Sequence, residues 1–308
     1  MVVTGKGGTG KTTLAAAVAR AASRTGARVA LIETGPDEQA PSLLGHPAEV
    51  GYQGAELAPG LWALRVDPFE ALQEYLRLEF PGGGIAGRLL SNAAFRGWLE
   101  AVPGWRALIT LGKIWHLEQQ EEGGRKRFDL LVVDAPATGH GLTFLDVPRV
   151  VASAVREGPL GKHAASVEAL VRDPARTLVL PATLLEETPT RETLELVARL
   201  RQTLGAQIEF IAANAVETDP LADWPGLERS LSAIDAMPAA RGIAACAGHL
   251  RARAEMQQRQ LEKLRSGTAL PVALLPRLSG GIRHPEDLDL IGETLVHFDP
   301  ASPDEARA

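Results

Sequence analysis

The sequence predicts an α/β fold: a doubly wound, mostly parallel sheet with an inserted α-helical subdomain. Three observations predict it. Short apolar runs alternate with helical stretches, the pattern of strands covered on both faces. A glycine-rich loop, "GKGGTGKTT" at residues 5–13, sits between the first apolar run and a helix-forming run. One long stretch, residues 67–120, lacks strand-like runs and shows helical spacing instead.

Taken in order, Val2 and Val3 start a strand that feeds the loop, and "TTLAAAVARAA" behind it is rich in strong helix formers. Further strands are expected at "RVALIET" (28–34), "FDLLVVDAP" (128–136), "RTLVLPA" (176–182), "QIEFIAANAV" (207–216) and "ALPVALLP" (269–276). Helices separate them, most clearly at 191–204, where Leu194, Val197, Leu200 and Leu204 share one face. Within 67–120, Leu72, Leu76 and Phe80 keep helical spacing, and the glycines at 82–84 and Pro103-Gly104 punctuate it. Three tryptophans fall here: Trp98, Trp105 and Trp115. The segment is expected to bury a small core of its own, with some apolar side chains facing a groove for an apolar partner. Residues 141–172 are expected to add to this subdomain. The whole, 1–308, reads as one domain with a disordered tail at about 300–308.

Composition excludes several classes. With 45% hydrophobic residues the chain can bury a large core without staples. A single cysteine, Cys246, allows neither an internal disulfide nor an all-cysteine metal site within the chain, and fits a reducing cytoplasm. No apolar run reaches the roughly 18 residues needed to cross a bilayer. Lys6 and Lys11 interrupt any leader-like opening. A net charge of −6 gives no overall footprint for nucleic acid. His46, His116, His163, His249, His284 and His297 are scattered without ligand spacing.

Gly5, Gly10, Lys11 and Thr12 fit the phosphate-loop pattern G-x-x-x-x-G-K-[ST]. In such a loop the backbone N–H groups of Gly5, Gly7, Gly8, Thr9 and Gly10 turn inward around phosphates. The helix begun by Lys11, Thr12 and Thr13 places its N-terminus under the anion. Lys11 reaches the β and γ oxygens, and the Thr12 hydroxyl ligates Mg²⁺. ATP or ADP with Mg²⁺ are therefore the expected ligands. Asp134 closes the apolar strand "LLVVD", where this fold places a carboxylate that holds Mg²⁺ through water.

"KGGTGKTT" resembles the deviant phosphate loop of partition and site-selection ATPases, nitrogenase iron protein, and the arsenical-pump and tail-anchored-protein targeting ATPases. The resemblance implies that Lys6 crosses a dimer interface to the partner's nucleotide; a cation on a long flexible stem suits that task. "DAPATGHGLTFLDVP" narrows it. Asp134, Thr138, Gly139, His140, Leu142, Leu145 and Pro148 match the second switch of the arsenical-pump and tail-anchor-targeting ATPases. "VPGWRALITLGKI" is similar to that family's P-G-x-x-E element, with Ala107 at the glutamate position. "DPARTLVLPATLLEETPTRETLEL" resembles its D-P-x-x-T strand-and-helix region. "ANAV" and "LPRL" resemble its base-binding segments, which implies that Asn214 reads adenine and that Pro276 and Arg277 pack on it.

Two departures matter. The family's first switch reads S/D-T-D-P-A-H, and its second aspartate orients the attacking water. Here "ETGPDEQ" places Gly35 there, with Asp37 and Glu38 following. Glycine can neither accept a proton nor orient water, so hydrolysis is expected to be slow or partner-dependent unless Asp37 or Glu38 substitutes. The thiolates for arsenite, zinc or an iron–sulfur cluster are also missing, so no zinc or cluster is expected. His140 can sense the γ-phosphate or cap the switch turn, and is read as capping it. The expected protein is a cytoplasmic dimeric switch ATPase, a homodimer or a heterodimer with a paralogue, engaging a protein client through its helical insertion. The alternatives are a non-catalytic ATP-dependent scaffold and a partition-type positioning ATPase. The net charge of −6 counts against the last.

Overall fold

The computed structural model describes residues 1–79, 92–101, 104–155, 158–217, 226, 229–230, 238–278 and 280–301. Residues 302–308 of the expected tail lie outside these. The main sheet has eight strands in the order β10-β9-β8-β1-β7-β2-β4-β3. They are β1 (Val2–Gly5), β2 (Val29–Glu33), β3 (Ala55–Ala58), β4 (Leu61–Arg65), β7 (Leu130–Ala137), β8 (Val179–Leu184), β9 (Ile211–Val216) and β10 (Val272–Pro276). Every pairing is parallel except β3 with β4. A two-stranded hairpin, β5 (Glu121–Glu122) and β6 (Arg125–Lys126), stands apart.

Alternate side chains of the buried strands feed two cores. Val3, Val29, Leu31 and Val132 face α1 (Lys11–Arg24) and a C-terminal helix at Asp287–Val296. Ile32, Val133, Val179 and Ile211 face the opposite layer. That layer includes α3 (Pro68–Glu79), α5 (Trp105–Gln119), α6 (Thr138–Ala154) and α8 (Glu187–Arg199). Short α2 (Ala40–Leu43), α4 (Ala93–Ala101), α7 (Gly158–Arg172) and the long α9 (Pro238–Thr268) complete the set, and the C-terminal helix is α10.

The strands expected at 128–136, 176–182, 207–216 and 269–276 are present with shifted or shortened ends. The helix expected at 191–204 begins earlier, at Glu187, and its last turn, Leu200–Leu204, is a π-helix. Sequence reading missed β3 and β4, because Glu56, Pro59 and Gly60 break the apolar run that would reveal them. All five residues of β4 pair with β2, so tertiary context supplies what the local pattern lacks. Gly123 and Gly124, at φ 58° and 77°, form the two-residue turn of the small hairpin.

The segment 67–120 is helical where described, but its core is not separate. Leu72, Leu76, Trp105, Ile109 and Ile114 join Ile32 and Val133 in one continuous cluster. Among the described residues, a small satellite of Leu108 with Val147 and Ala164 packs apart from it. Phe80 and the glycines at 82–84 lie outside the described residues, as does the side chain of Trp98. No helix among the described residues is long and apolar enough to cross a membrane.

Candidate nucleotide site

β1 sits between β8 and β7, where the chain leaves one half of the sheet for the other, and the 5–13 loop rises from its carboxyl end. Open α/β sheets bind ligands at such a point. The loop braces itself: Thr9, almost fully buried, donates its hydroxyl to the Lys6 carbonyl at 2.9 Å. The Lys11 ammonium donates to the same carbonyl at 3.2 Å. Gly5 ends β1, while Gly7 and Gly8 are exposed. Gly10 caps α1 at φ 83°, and any side chain there would collide with the Asn214 amide nitrogen. The conformation favours glycine here, and a side chain would push the Asn214 amide aside. Thr13 lies one turn further in, on the wall of the adjoining cavity.

Thr12 and Asp134 meet. The Thr12 hydroxyl donates to Asp134 Oδ2 at 2.5 Å, while Asp134 Oδ1 is buried without a hydrogen-bond partner. Burial raises the Asp134 carboxyl above the ordinary range, opposed by the Thr12 bond and the Lys11 charge. Burial also lowers the Lys11 ammonium, with Asp134 acting the other way. An orphaned buried carboxylate oxygen beside a hydroxyl is a hard-oxygen donor set, and it fits Mg²⁺ held partly through water.

Lys6 points elsewhere in this chain. Its ammonium pairs with Glu192 of α8 at 2.6 Å, both side chains about one-third exposed, at 33% each.

The first-switch loop is held by its ends. Glu33, one register step across from Asp134 on β2, accepts the backbone N–H groups of Gln39 and Ala40 at 2.8 and 3.0 Å. Burial raises its carboxyl, and the nearby Asp134 and Glu38 add to the rise. The Thr34 hydroxyl donates to the Asp134 carbonyl at 2.7 Å. Gly35 lines a cavity of about 680 Å³ shared with Trp105, Ala107, Phe144 and Val147. Asp37 is exposed. Glu38 turns inward: its carboxylate takes the N–H groups of Val50 and Gly51 at 2.6 and 2.7 Å, with Arg65 at 3.5 Å. It closes the loop base, and every hydrogen bond it makes goes to that end. The backbone of Thr138, Gly139 and His140 opens α6, but their side chains lie outside the described part.

Asn214, Pro276 and Arg277 do come together, on a second cavity of about 510 Å³ that Thr13 joins to the phosphate loop. Asn214 donates to the Thr9 carbonyl at 3.0 Å, tying this cavity to the phosphate loop. Sequence reading missed Glu33, Glu192, and the α9 residues Arg253 and Gln257 on this cavity's wall. Glu33 carried a faint signal as an acidic residue ending an apolar strand. The others carried none, since only the fold brings their helices to the site.

Comparison with known proteins agrees with this geometry. A family model described as anion-transporting ATPase matches residues 1–215. The ATPase BagA of Mycobacterium tuberculosis is 34% identical over 207 residues, 65% of this chain and 60% of that protein. An arsenical pump-driving ATPase of Escherichia coli is 30% identical over 241 residues, 69% of this chain and 38% of the other. An ATPase GET3 of Mycosarcoma maydis is 29% identical over 158 residues, 50% of this chain and 44% of the other. Each match thus covers 60% or less of the relative's own length. With a family model matched over well more than half its residues, the chain belongs to the anion-transporting ATPase family.

Proposed function

We propose that this chain is a Mg²⁺–ATP-binding switch ATPase that closes as a dimer around its nucleotides and couples their state to a protein or apolar client. One observation carries the reading: Lys11, Thr12 and the half-partnered Asp134 converge at the mouth of β1 and β7, beneath a glycine loop. Lys11 would exchange the Lys6 carbonyl for phosphate oxygens, and the loop N–H groups would hold the same anion. Thr12 and Asp134 would hold Mg²⁺, which supplies charge neutralisation at the β and γ phosphates when bound. Asn214, Pro276 and Arg277 would receive the adenine.

Lys6 would have to leave Glu192 to serve a partner's nucleotide. Each side chain of the pair is one-third exposed, so solvent screens it and opening it costs little. Glu33 and Thr34 tether the first switch beside Asp134, so γ-phosphate contacts would bias both switches together. Movement would pass to the helices of 67–120 and 141–172, the proposed client-binding part. Cytoplasmic residence fits the lone cysteine.

A second reading, hydrolysis supplied by a paralogue in a heterodimer, is favoured by Gly35 and by the inward-turned Glu38 carboxylate. ATP binding and ATP turnover, measured on the chain and on its Lys11→Ala and Gly35→Asp variants, test both. The proposal expects ATP affinity to fall at least about tenfold in Lys11→Ala, a loss of about 1.4 kcal/mol. It expects slow turnover that Gly35→Asp raises. Binding indifferent to Lys11→Ala contradicts the site; fast turnover that Gly35→Asp does not raise contradicts partner dependence.

A further inference from the structure

The cavity at the end of β9 has a wall that comes from α9. Ala215 stands there at φ 51°, in the left-handed region that non-glycine residues seldom take. Two side chains grip the backbone around it. Asn214 Oδ1 accepts the Ala215 N–H at 2.9 Å while the same amide donates to Thr9. From the other side Gln257, 5% exposed, straddles the kink. Its Oε1 accepts the Glu217 N–H at 3.0 Å, and its Nε2 reaches the Ala215 carbonyl at 3.4 Å. Glu217 in turn holds two guanidinium groups of the cavity lining, Arg277 at 2.7 Å and Arg253 at 3.3 Å. A left-handed alanine persists only where its surroundings hold it. A primary amide suits that task, offering an acceptor to the N–H and a donor to the C=O.

We propose that Gln257 is a positioning residue for base recognition: by clamping the 215–217 turn it sets the orientation of the Asn214 amide and of Arg277, and with them the preference for adenine over guanine. The inference rests on the nucleotide reading above. Adenine presents an amino donor where guanine presents a carbonyl acceptor, so an amide discriminates between them only if its own donor and acceptor are fixed. The Ala215 N–H fixes the Asn214 amide, and the kink that aims this N–H is held by Gln257. The hydrogen bonds of Gln257 go to Ala215 and Glu217, and its effect reaches the phosphate loop only through the single Asn214–Thr9 bond. Loosening the clamp therefore weakens base discrimination and spares phosphate affinity.

Calorimetric titration of Mg²⁺–ATP, Mg²⁺–GTP and tripolyphosphate into the wild-type chain and its variants tests this. Gln257→Leu is expected to lose about tenfold in ATP affinity and most of the ATP-over-GTP preference, with tripolyphosphate changed less than about twofold. Gln257→Glu, nearly isosteric and keeping only the acceptor, moves the same way by less. Ala215→Gly added to Gln257→Leu restores part of the preference, because glycine takes this backbone conformation without strain. An ATP-to-GTP ratio unchanged in both Gln257 variants, or an equal loss for all three ligands, overturns the role of Gln257 alone. A wild-type chain that binds neither ATP nor tripolyphosphate overturns the nucleotide reading with it.

Discussion

Asp134 and Glu33 are carboxylates on adjacent strands, paired in register and both raised by burial before any other influence. A raised carboxyl binds its proton more tightly folded than unfolded. It therefore penalises the fold at pH values above its folded pKa, and the penalty fades as pH falls through that value. Asp134→Asn removes the charge, so the nucleotide-free protein should gain stability at neutral pH. Urea denaturation at neutral pH and nearer the ordinary carboxylate value of about 4 checks this, with the gain shrinking at the lower pH. A gain that grows on acidification contradicts the assignment. The same variant should lose the Mg²⁺ dependence of nucleotide binding, which makes the burial a functional expense. At this scale the sequence was legible where chemistry imposes a fixed spacing: Gly10, Lys11 and Thr12 in the loop, and Asp134 at a strand end. It offered Glu38 as a catalytic substitute by its acidic type, and did not show where that carboxylate turns. The reason is spatial, since Val50, Gly51 and Arg65 capture its carboxylate from residues distant in sequence.

Among the elements, α1 bears both the phosphate loop's exit and a tight crossing with α10. At that crossing Gly292 lies against the Ala17 carbonyl and the Ala21 side chain, and an added Cβ would stand 3.2 and 2.8 Å from them. Neither neighbour can swing aside, because one is backbone and the other a methyl group. Gly292→Ala should therefore destabilise the chain by about 1–2 kcal/mol, the overpacking cost exceeding the helix-propensity gain. Equilibrium urea unfolding measures it, and a stabilised variant contradicts the close crossing. α10 also lends Ile291 to the base cavity, so the variant should weaken nucleotide binding as well. The strands β7, β8 and β9 were legible because burial on both sheet faces leaves continuous apolar runs. β3 and β4 were not, since a sheet-edge hairpin needs less apolar sequence. The helices of 67–120 were legible as helices, but their partners were not. Helical spacing shows which face is apolar, whereas Trp105 and Ile109 take their place in the main core only once α5 lies on the sheet.

For the molecule as a whole, the strand order places the loop at the point where the chain changes direction, with the base cavity on the β9–β10 side and both switch segments on the β7–β2 side. Phosphate contacts would thus sit between the two, and Asn214 already bridges from the base side to Thr9. Lys6 is held in its own chain, and Gly35 brings no carboxylate. Both features suit the second subunit proposed above. The most direct test is the native mass of the purified chain with Mg²⁺–ADP and with a slowly hydrolysed Mg²⁺–ATP analogue, for wild type and Lys6→Ala. The account predicts a monomer in ADP, a dimer in the analogue, and a monomer in both for Lys6→Ala. The same mass in both nucleotides, or a Lys6→Ala chain that dimerises as wild type does, would contradict it.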